Sequence, residues 1–349
     1  LPDHAAAPVP ATTGAKALAH VCGRAPWSQS WKEAREDSGM HLILEWRCQR
    51  GLSGCVERTN MWVGYVLGQV ASFFLTLLRM LPLAIANRLS RTRIPQDGDV
   101  VISLTSHGKR LNKVHFTLES IARGYTKAPI VLWLDEHDYN APLPVSLQRL
   151  VHRGLQIRCS DGDYGPHTKY WNQFRDVAGT GIRVATIDDD MIYPEWFLQR
   201  LLFIGDLRND AVIAYRAHRI ELRDGRMLPY VKWTAVNTSQ ASLLHFATGV
   251  SGVLYPISFI DYVVAQGDME FIKQCPRADD VWLHVCALRS GHPIRQVYAK
   301  PRHFAVVPST QVGALVVGNT LMGGNDEQIR RVYTNEDIAA LVAASERED

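Results

Sequence analysis

Three consecutive carboxylates, Asp188-Asp189-Asp190, close a β-branched, apolar stretch (RVATIDDDMIY) and are followed by Pro194. Like charges this close raise one another's pKa unless a cation or hydrogen-bond donors neutralise them, so a hard divalent ion, Mn²⁺ or Mg²⁺, is their natural partner. Such an ion takes one or two carboxylates and fills its remaining positions with water and diphosphate oxygens. A solvated acidic turn is the competing reading, and the apolar residues on both sides speak against it. A second pair, Asp279-Asp280, opens the apolar run DDVWLHVCALRSG, where carboxylates suit the positive end of a helix macrodipole. Capping accounts for one of them, and Asp280 is then a candidate general base. Between the acidic motifs lies FATGVSGVLYP, whose Gly249 and Gly252 permit close backbone approach to a ligand, or serve as ordinary turn glycines. Lys169, at a predicted helix start, can offer a cation to a leaving diphosphate or sit on the surface. His303 is a candidate metal ligand or phosphate donor against the commoner structural role.

The elements that must position these groups emerge from periodicity. After Pro95 the chain alternates strand and helix: DVVISLTSH, then KVHFTLESIARG closed by Gly124, PIVLWLDE, LPVSLQRLVHRG, LQIRCSD, a helix from about Thr168, and RVATIDDDMIY. Such alternation predicts an α/β fold, a mostly parallel sheet with helices on both faces and ligands at the carboxyl ends of its strands. From Ala211 the elements shorten through AVIAYRAHRI, a turn at Asp224-Gly225 and VLYPISF, which predicts a small antiparallel extension. Gly323-Gly324-Asn325-Asp326 comes after a stretch suited to a lid over a bound donor, or marks a helix N-cap at Asn325.

Ahead of this region the chain changes character. Residues 1–60 open on an Ala/Pro/Thr-rich stretch with no sustained period and no readable role. From Met61 the run MWVGYVLGQVASFFLTLL carries no charge, and Arg79, Arg88, Arg91 and Arg93 come after it. This predicts a membrane-anchoring helix with a basic flank over 61–94, spanning or interfacial, with the buried helix of a soluble protein as the alternative. The arginines place the chain beyond residue 94 in the cytoplasm. The 38 basic and 35 acidic residues are too balanced for a nucleic-acid binder, and six scattered cysteines show neither metal-ligand spacing nor a disulfide framework.

The ordered set LTSHGKR, LWLDE, GPHTKY, TIDDDMIYP, TGVSGVLYP and ADDVWL, spread from about Asp99 to Phe304, resembles the family-2-like glycosyltransferases of bacterial surface-polysaccharide synthesis. The resemblance implies a GT-A-like, Rossmann-like domain over 95–305, with 306–349 as a C-terminal loop and helices. It implies a nucleotide-sugar donor, a saccharide or lipid-linked acceptor, a Mn²⁺ or Mg²⁺ ion, and an inverting enzyme at the cytoplasmic face of the bacterial inner membrane. By motif match, Asp188 and Asp190 hold the metal and sugar nucleotide, and Asp280, or failing it Asp279, takes the acceptor proton. Thr105, Asp135, Lys169, Asp189, Gly249 and Gly252 fall at donor-binding positions. One departure stands out: the family's strand-end DDGS is here Asp135-Glu136-His137-Asp138, which weakens the transfer of a base-binding role to Asp135. A haloacid-dehalogenase-like phosphatase is the competing enzyme, although its nucleophilic aspartate belongs on the first strand. A nucleotide-sugar pyrophosphorylase would need a Gly-rich basic loop that LTSHGKRLNK does not supply. A non-catalytic, membrane-tethered saccharide-binding module is the third class.

Overall fold

The computed structural model describes residues 75–267, 269–308 and 324–348. Every described residue belongs to one compact unit, Arg50–Asp349. The expected segment 1–60, the first part of the expected anchor and the lid stretch up to Gly323 lie outside the described residues.

Eight strands form the central sheet. From one edge they run Gln156–Cys159, Ile130–Leu134, Val100–Thr105, Arg183–Thr186, Val253–Tyr255, Val212–Ala214, Ile294–Gln296 and Ala241–Ser242. The first four are mutually parallel, with Ile102 opposite Ile130 and Ala185. Val253–Tyr255 is antiparallel to both its neighbours, and Ile294–Gln296 is again parallel to Val212–Ala214. Val253–Tyr255 thus enters the central sheet itself, while the expected small antiparallel extension is a separate three-stranded sheet of Thr234–Ala235, Ala217–Arg219 and His245–Ala247. Chain order reverses at Val100–Thr105, which pairs with Ile130–Leu134 on one side and Arg183–Thr186 on the other. In open α/β sheets the crevice beyond such a switch point is where ligands bind.

Alternation along these strands explains why they read as continuous apolar runs. Val101, Val131, Trp133, Val184, Val212 and Val253 point into one core; Ile102, Leu104, Ile130, Leu132, Ala185, Ile213 and Leu254 point into the other. A period of two with both faces covered demands apolar residues at every position. Helices Thr168–Val177, Ile257–Ala265 and Asp279–Ser290 cover the first face, and Val114–Ala122, Val145–His152 and Phe197–Leu207 the second. The Asp224-Gly225 turn has φ of 51° and 69°, the doubly left-handed geometry of a tight hairpin between Leu222–Arg223 and Arg226–Met227.

Two expectations change. The stretch VLYPISF splits at Pro256, whose fixed φ caps the helix Ile257–Ala265. The expected 61–94 helix is helical over described residues 75–89 and ends there, with 90–94 in neither helix nor strand. At 1.5 Å per residue that length is about 22 Å, and no helix among the described residues is long and apolar enough to cross a membrane. The C-terminal helices Gly324–Val332 and Asn335–Glu348 pack on helix Asp279–Ser290 and contribute Ile329, Val332, Leu341 and Ala344 to the core, with Tyr333 from the turn between them.

Candidate active site

The strand Arg183–Thr186 delivers the three carboxylates to the switch-point crevice. Ile187 still bonds to the carbonyl of Ser103 (3.1 Å), and then the chain leaves the sheet. The backbone N–H of Asp188 donates to the Tyr193 hydroxyl (3.1 Å), and the carbonyl of Asp189 accepts from Thr117 Oγ1 (2.9 Å). Asp190 is held by its carbonyl, which accepts from the N–H of Val307 (2.7 Å) where Ala305–Val306 pairs with Met191–Ile192. Each carboxylate therefore springs from a fixed backbone.

Asp189 is buried and fully engaged. Ser106 Oγ donates to it at 2.5 Å, Arg110 Nε at 2.9 Å, and the Arg110 Nη2 group completes a two-pronged grip. Arg110 also reaches Asp190 at 3.1 Å. Even so, the Asp190 carboxyl is pushed up to about 6, first by burial and then by Asp188, against the pull of Arg110. Asp188 is the most open of the three, with its side chain 28% exposed. Asp188 and Asp190 offer hard oxygen donors of the kind a divalent ion takes, each paired in this structure with one cation, Lys169 and Arg110.

Lys169 joins the two acidic motifs. Helix Thr168–Val177 places it below the strand ends, where Ser103 Oγ donates to its carbonyl (2.6 Å). Its ammonium lies 3.2 Å from Asp188 and 2.8 Å from Asp279 with little exposure. Burial would strip its proton, but Asp188, Asp279 and Asp280 together hold its pKa well above the ordinary lysine value. Beside it, Asp280 accepts from the Gly249 N–H at 2.9 Å. The Asp280 carboxyl is raised to about 8 by burial and by the neighbouring Asp279 charge, with Lys169 opposing. A carboxyl poised this close to neutrality is suited to general-base work.

The loop over these groups is tightly specified. A Cβ on Gly249 would stand 2.8 Å from Lys169 Nζ and 3.0 Å from Asp280 Oδ1. Gly252 has φ +92°, and a Cβ there would meet the Phe197 ring at 2.6 Å. Gly249 thus adjoins the chemistry, whereas Gly252 serves packing. Between them Ser251, fully buried, holds φ of 79°, a strained value for a residue with a side chain.

The remaining expected site residues have varied surroundings. Thr105 ends its strand at the crevice, with its hydroxyl donating to the Trp133 carbonyl (3.0 Å). Asp135 caps the short helix Glu136–Asn140 by accepting from the Asp138 N–H (2.7 Å), and Asp138 in turn accepts from the Gly108 N–H (2.6 Å). Asp135, His137 and Asp138 are the trio of metal-ligand type that clusters among the described residues. Both carboxylates already cap backbone N–H groups, and His137 is exposed. Their visible work is mechanical: they hold Gly108, and with it the 3₁₀ turn Gly108–Asn112 that carries Arg110. The structure does not bring His303 to the carboxylates. The strand register puts Val307 opposite Asp190, while His303 lies near Arg216 and His218, and partial burial and Arg216 lower its pKa. A separate depression of about 310 Å³, lined by Arg183, Arg208, Pro256 and Asp261, opens at the opposite end of the strands.

Sequence reasoning missed Ser106 and Arg110 as site residues. Both lie in LTSHGKR, directly after the strand at which chain order reverses, and that position was the available signal.

The sequence matches no protein family and no curated protein. Among solved structures the chain is similar to the mannosyltransferase PcManGT from Pyrobaculum calidifontis in complex with GDP-Man and Mn²⁺, at 12% identity over 80% of this chain and 79% of that one, TM-score 0.46. It is also similar to S. aureus TarS residues 1–349, at 11% identity over 70% and 71% with TM-score 0.40, and to 4-diphosphocytidyl-2C-methyl-D-erythritol synthase, at 11% over 63% and 98% with TM-score 0.37. Scores below 0.5 do not establish a shared fold.

Proposed function

We propose that this protein is a GT-A-like glycosyltransferase that moves a sugar from a nucleotide-sugar donor to a hydroxyl of a saccharide or lipid-linked acceptor. The observation that carries the proposal is the convergence of two acidic motifs, 188–190 and 279–280, on one buried lysine at the switch point of the sheet. One motif is held as a hard-ion site, and the other presents a carboxyl whose pKa lies near neutrality.

Asp280 accepts the acceptor proton as that oxygen attacks the anomeric carbon and the bond to the diphosphate breaks, through an oxocarbenium-like transition state with inversion. The Gly249 N–H holds Asp280 in place, and Asp279 and Lys169 set its charge. Arg110 and Ser106 fix Asp189, which keeps Asp188 and Asp190 turned to the crevice. Thr105 and Asp135, at the ends of adjacent strands, border the nucleoside side, and Gly249 lets the donor approach the backbone. A bound Mn²⁺ or Mg²⁺, held by Asp188 and Asp190, would neutralise charge on the departing diphosphate. The arginine flank after residue 78 favours the cytoplasmic face of a bacterial inner membrane, with surface polysaccharide or glycolipid as the product.

The phosphatase alternative loses ground because the first strand ends in Thr105 and Ser106, with no aspartate to serve as nucleophile. Purified protein given a panel of sugar nucleotides with Mn²⁺ and candidate acceptors should release nucleoside diphosphate. Release of inorganic phosphate, or turnover of no donor in the panel, would overturn the reading.

A further inference from the structure

The helix over residues 75–89 is built inside out. Its buried positions are Thr76, Leu83 and Asn87, spaced 7 and 4 apart on one face. Asn87 is locked there: its Nδ2 donates to Glu119 Oε1 (3.0 Å) and to the Ser146 carbonyl (2.9 Å), and its Oδ1 accepts from Arg149 (3.2 Å). Glu119, itself inaccessible, pairs with Arg153 at 2.7 Å. The opposite face carries Leu78 (65% exposed), Leu81 (59%), Ile85 (49%) and Leu89 (74%), a stripe at 3- and 4-residue spacing. A soluble surface helix turns its apolar stripe inward; this one turns it out while a hydrogen-bonded asparagine docks the other side.

Charge supplies the identity of what covers the stripe. Between Glu57 and Asp97 the chain has five arginines, at 58, 79, 88, 91 and 93, and no Asp or Glu. Arg79, Arg88, Arg91 and Arg93 are all exposed beside the leucines. A second protein surface needs partners for cations one by one, whereas an anionic bilayer offers hydrocarbon under a continuous sheet of phosphate.

We propose that this face is a membrane-docking surface. The helix lies in the plane of an anionic phospholipid monolayer, its leucines among the acyl chains and its arginines at the phosphates, and it does not cross. The docked Asn87 face fixes that orientation, since a helix clamped along its length to the catalytic domain cannot also be ringed by lipid. The helix Val114–Ala122 touches both sides: Glu119 binds Asn87 and Thr117 binds the Asp189 carbonyl. Two helix layers, about 10 Å each, therefore lie between the leucine stripe and the acidic motif, a span that a lipid-linked acceptor can bridge. That last point rests on the proposed reaction, and the docking itself does not.

The test is co-sedimentation of the full chain with vesicles of phosphatidylcholine alone or with about 30 mol% phosphatidylglycerol, which supplies the anionic surface. Wild type should bind the anionic vesicles preferentially. Leu78→Ser/Leu81→Ser/Ile85→Ser should lose binding more than tenfold, and Arg88→Glu/Arg91→Glu should lose about fivefold or more per residue, with steep salt dependence. Because all these side chains are exposed, melting temperatures should match wild type, which separates lost docking from lost folding. A fluorophore on Leu78→Cys and one on Leu89→Cys should be quenched at equal depth by lipid-borne quenchers. Unequal depths would mean a crossing helix and overturn the in-plane geometry. Unchanged binding in the serine variant would overturn the docking surface, as would absent vesicle binding together with a dimer that the serine variant dissolves.

Discussion

Lys169 Nζ lies 2.8 Å from the carboxylate of Asp279, joining the helix Thr168–Val177 to the start of the helix Asp279–Ser290. The same ammonium reaches Asp188 at 3.2 Å, so one cation sets the spacing between the proposed ion-binding motif and the proposed base. A buried cation between carboxylates is costly to remove, because the carboxylates stay behind uncompensated.

Lys169→Met should accordingly destabilise the protein by about 3 kcal/mol or more, and the loss should depend on pH. Without the ammonium, the Asp280 carboxyl loses the cation that opposes its rise, so its folded pKa climbs further above its unfolded value. The variant's stability should then fall as pH rises from 5 to 8 more steeply than wild type's. Urea unfolding of both proteins at the two pH values reads this directly, and equal slopes would mean that Lys169 does not compensate the carboxylates.

The metal assignment predicts that Asp190→Asn abolishes Mn²⁺-dependent turnover and weakens Mn²⁺ binding at least tenfold in calorimetry, since one hard ligand is gone. Chelation of wild type should mimic the loss and added Mn²⁺ should reverse it. The substitution opens no core cavity, so the melting temperature should stay close to wild type. Undiminished Mn²⁺ affinity would show that Arg110 alone compensates Asp190.

The two loop glycines should part company. Gly249→Ala puts a methyl group 2.8 Å from Lys169 Nζ and 3.0 Å from Asp280, so turnover should drop more than tenfold with a stability loss of about 1–3 kcal/mol. Gly252→Ala forces a Cβ into φ +92° and onto Phe197, so it should cost more stability than activity per folded molecule. Activity normalised to the folded fraction decides between them, and identical normalised activities would remove Gly249 from the site.

Much of this arrangement was legible from residue patterns, because the strands are buried on both faces and announce themselves as apolar runs ending in carboxylates. Asp188–Asp190 and Asp279-Asp280 could be placed at a strand end and a helix start on that basis. The rest depended on pairings with no local signature. The Arg110 grip on Asp189 links residues 79 apart, and nothing near Arg110 marks its partner. The helix Glu136–Asn140 is too short to show a period, so its capping residues read as the tail of a strand. Val253–Tyr255 enters the middle of the sheet antiparallel because of register, and a three-residue apolar run cannot reveal its neighbours. In helix 75–89 Thr76 faces the protein and Leu78 the exterior, and only the tertiary docking of Asn87 on Glu119 and Ser146 reveals which face is covered.

Asp280 carries the sharpest prediction. Its carboxyl accepts the Gly249 N–H at 2.9 Å and is raised to about 8 by burial and by Asp279. Asp280→Asn keeps the size and an oxygen for Gly249 but cannot take a proton, so turnover should fall about a hundredfold or more while donor binding holds. In ion-free wild type, the folded state keeps a proton on Asp280 that an unfolded chain, with its ordinary value of 3.8, has released. The stability contributed by this group is therefore full below pH 3.8 and is lost progressively as pH rises towards 8. Asp280→Asn should flatten that part of the stability profile and raise melting temperature at pH 8, because it removes a carboxylate that burial disfavours. Asp279→Asn is the control with the opposite signature: it breaks the 2.8 Å ion pair to Lys169, so it should lower stability along with activity. Melting and turnover measured on the same preparations across pH 5 to 8 separate the two roles. A swap of signatures would make Asp279 the base, and full turnover in both variants would leave the pair as a helix terminus without a part in the chemistry.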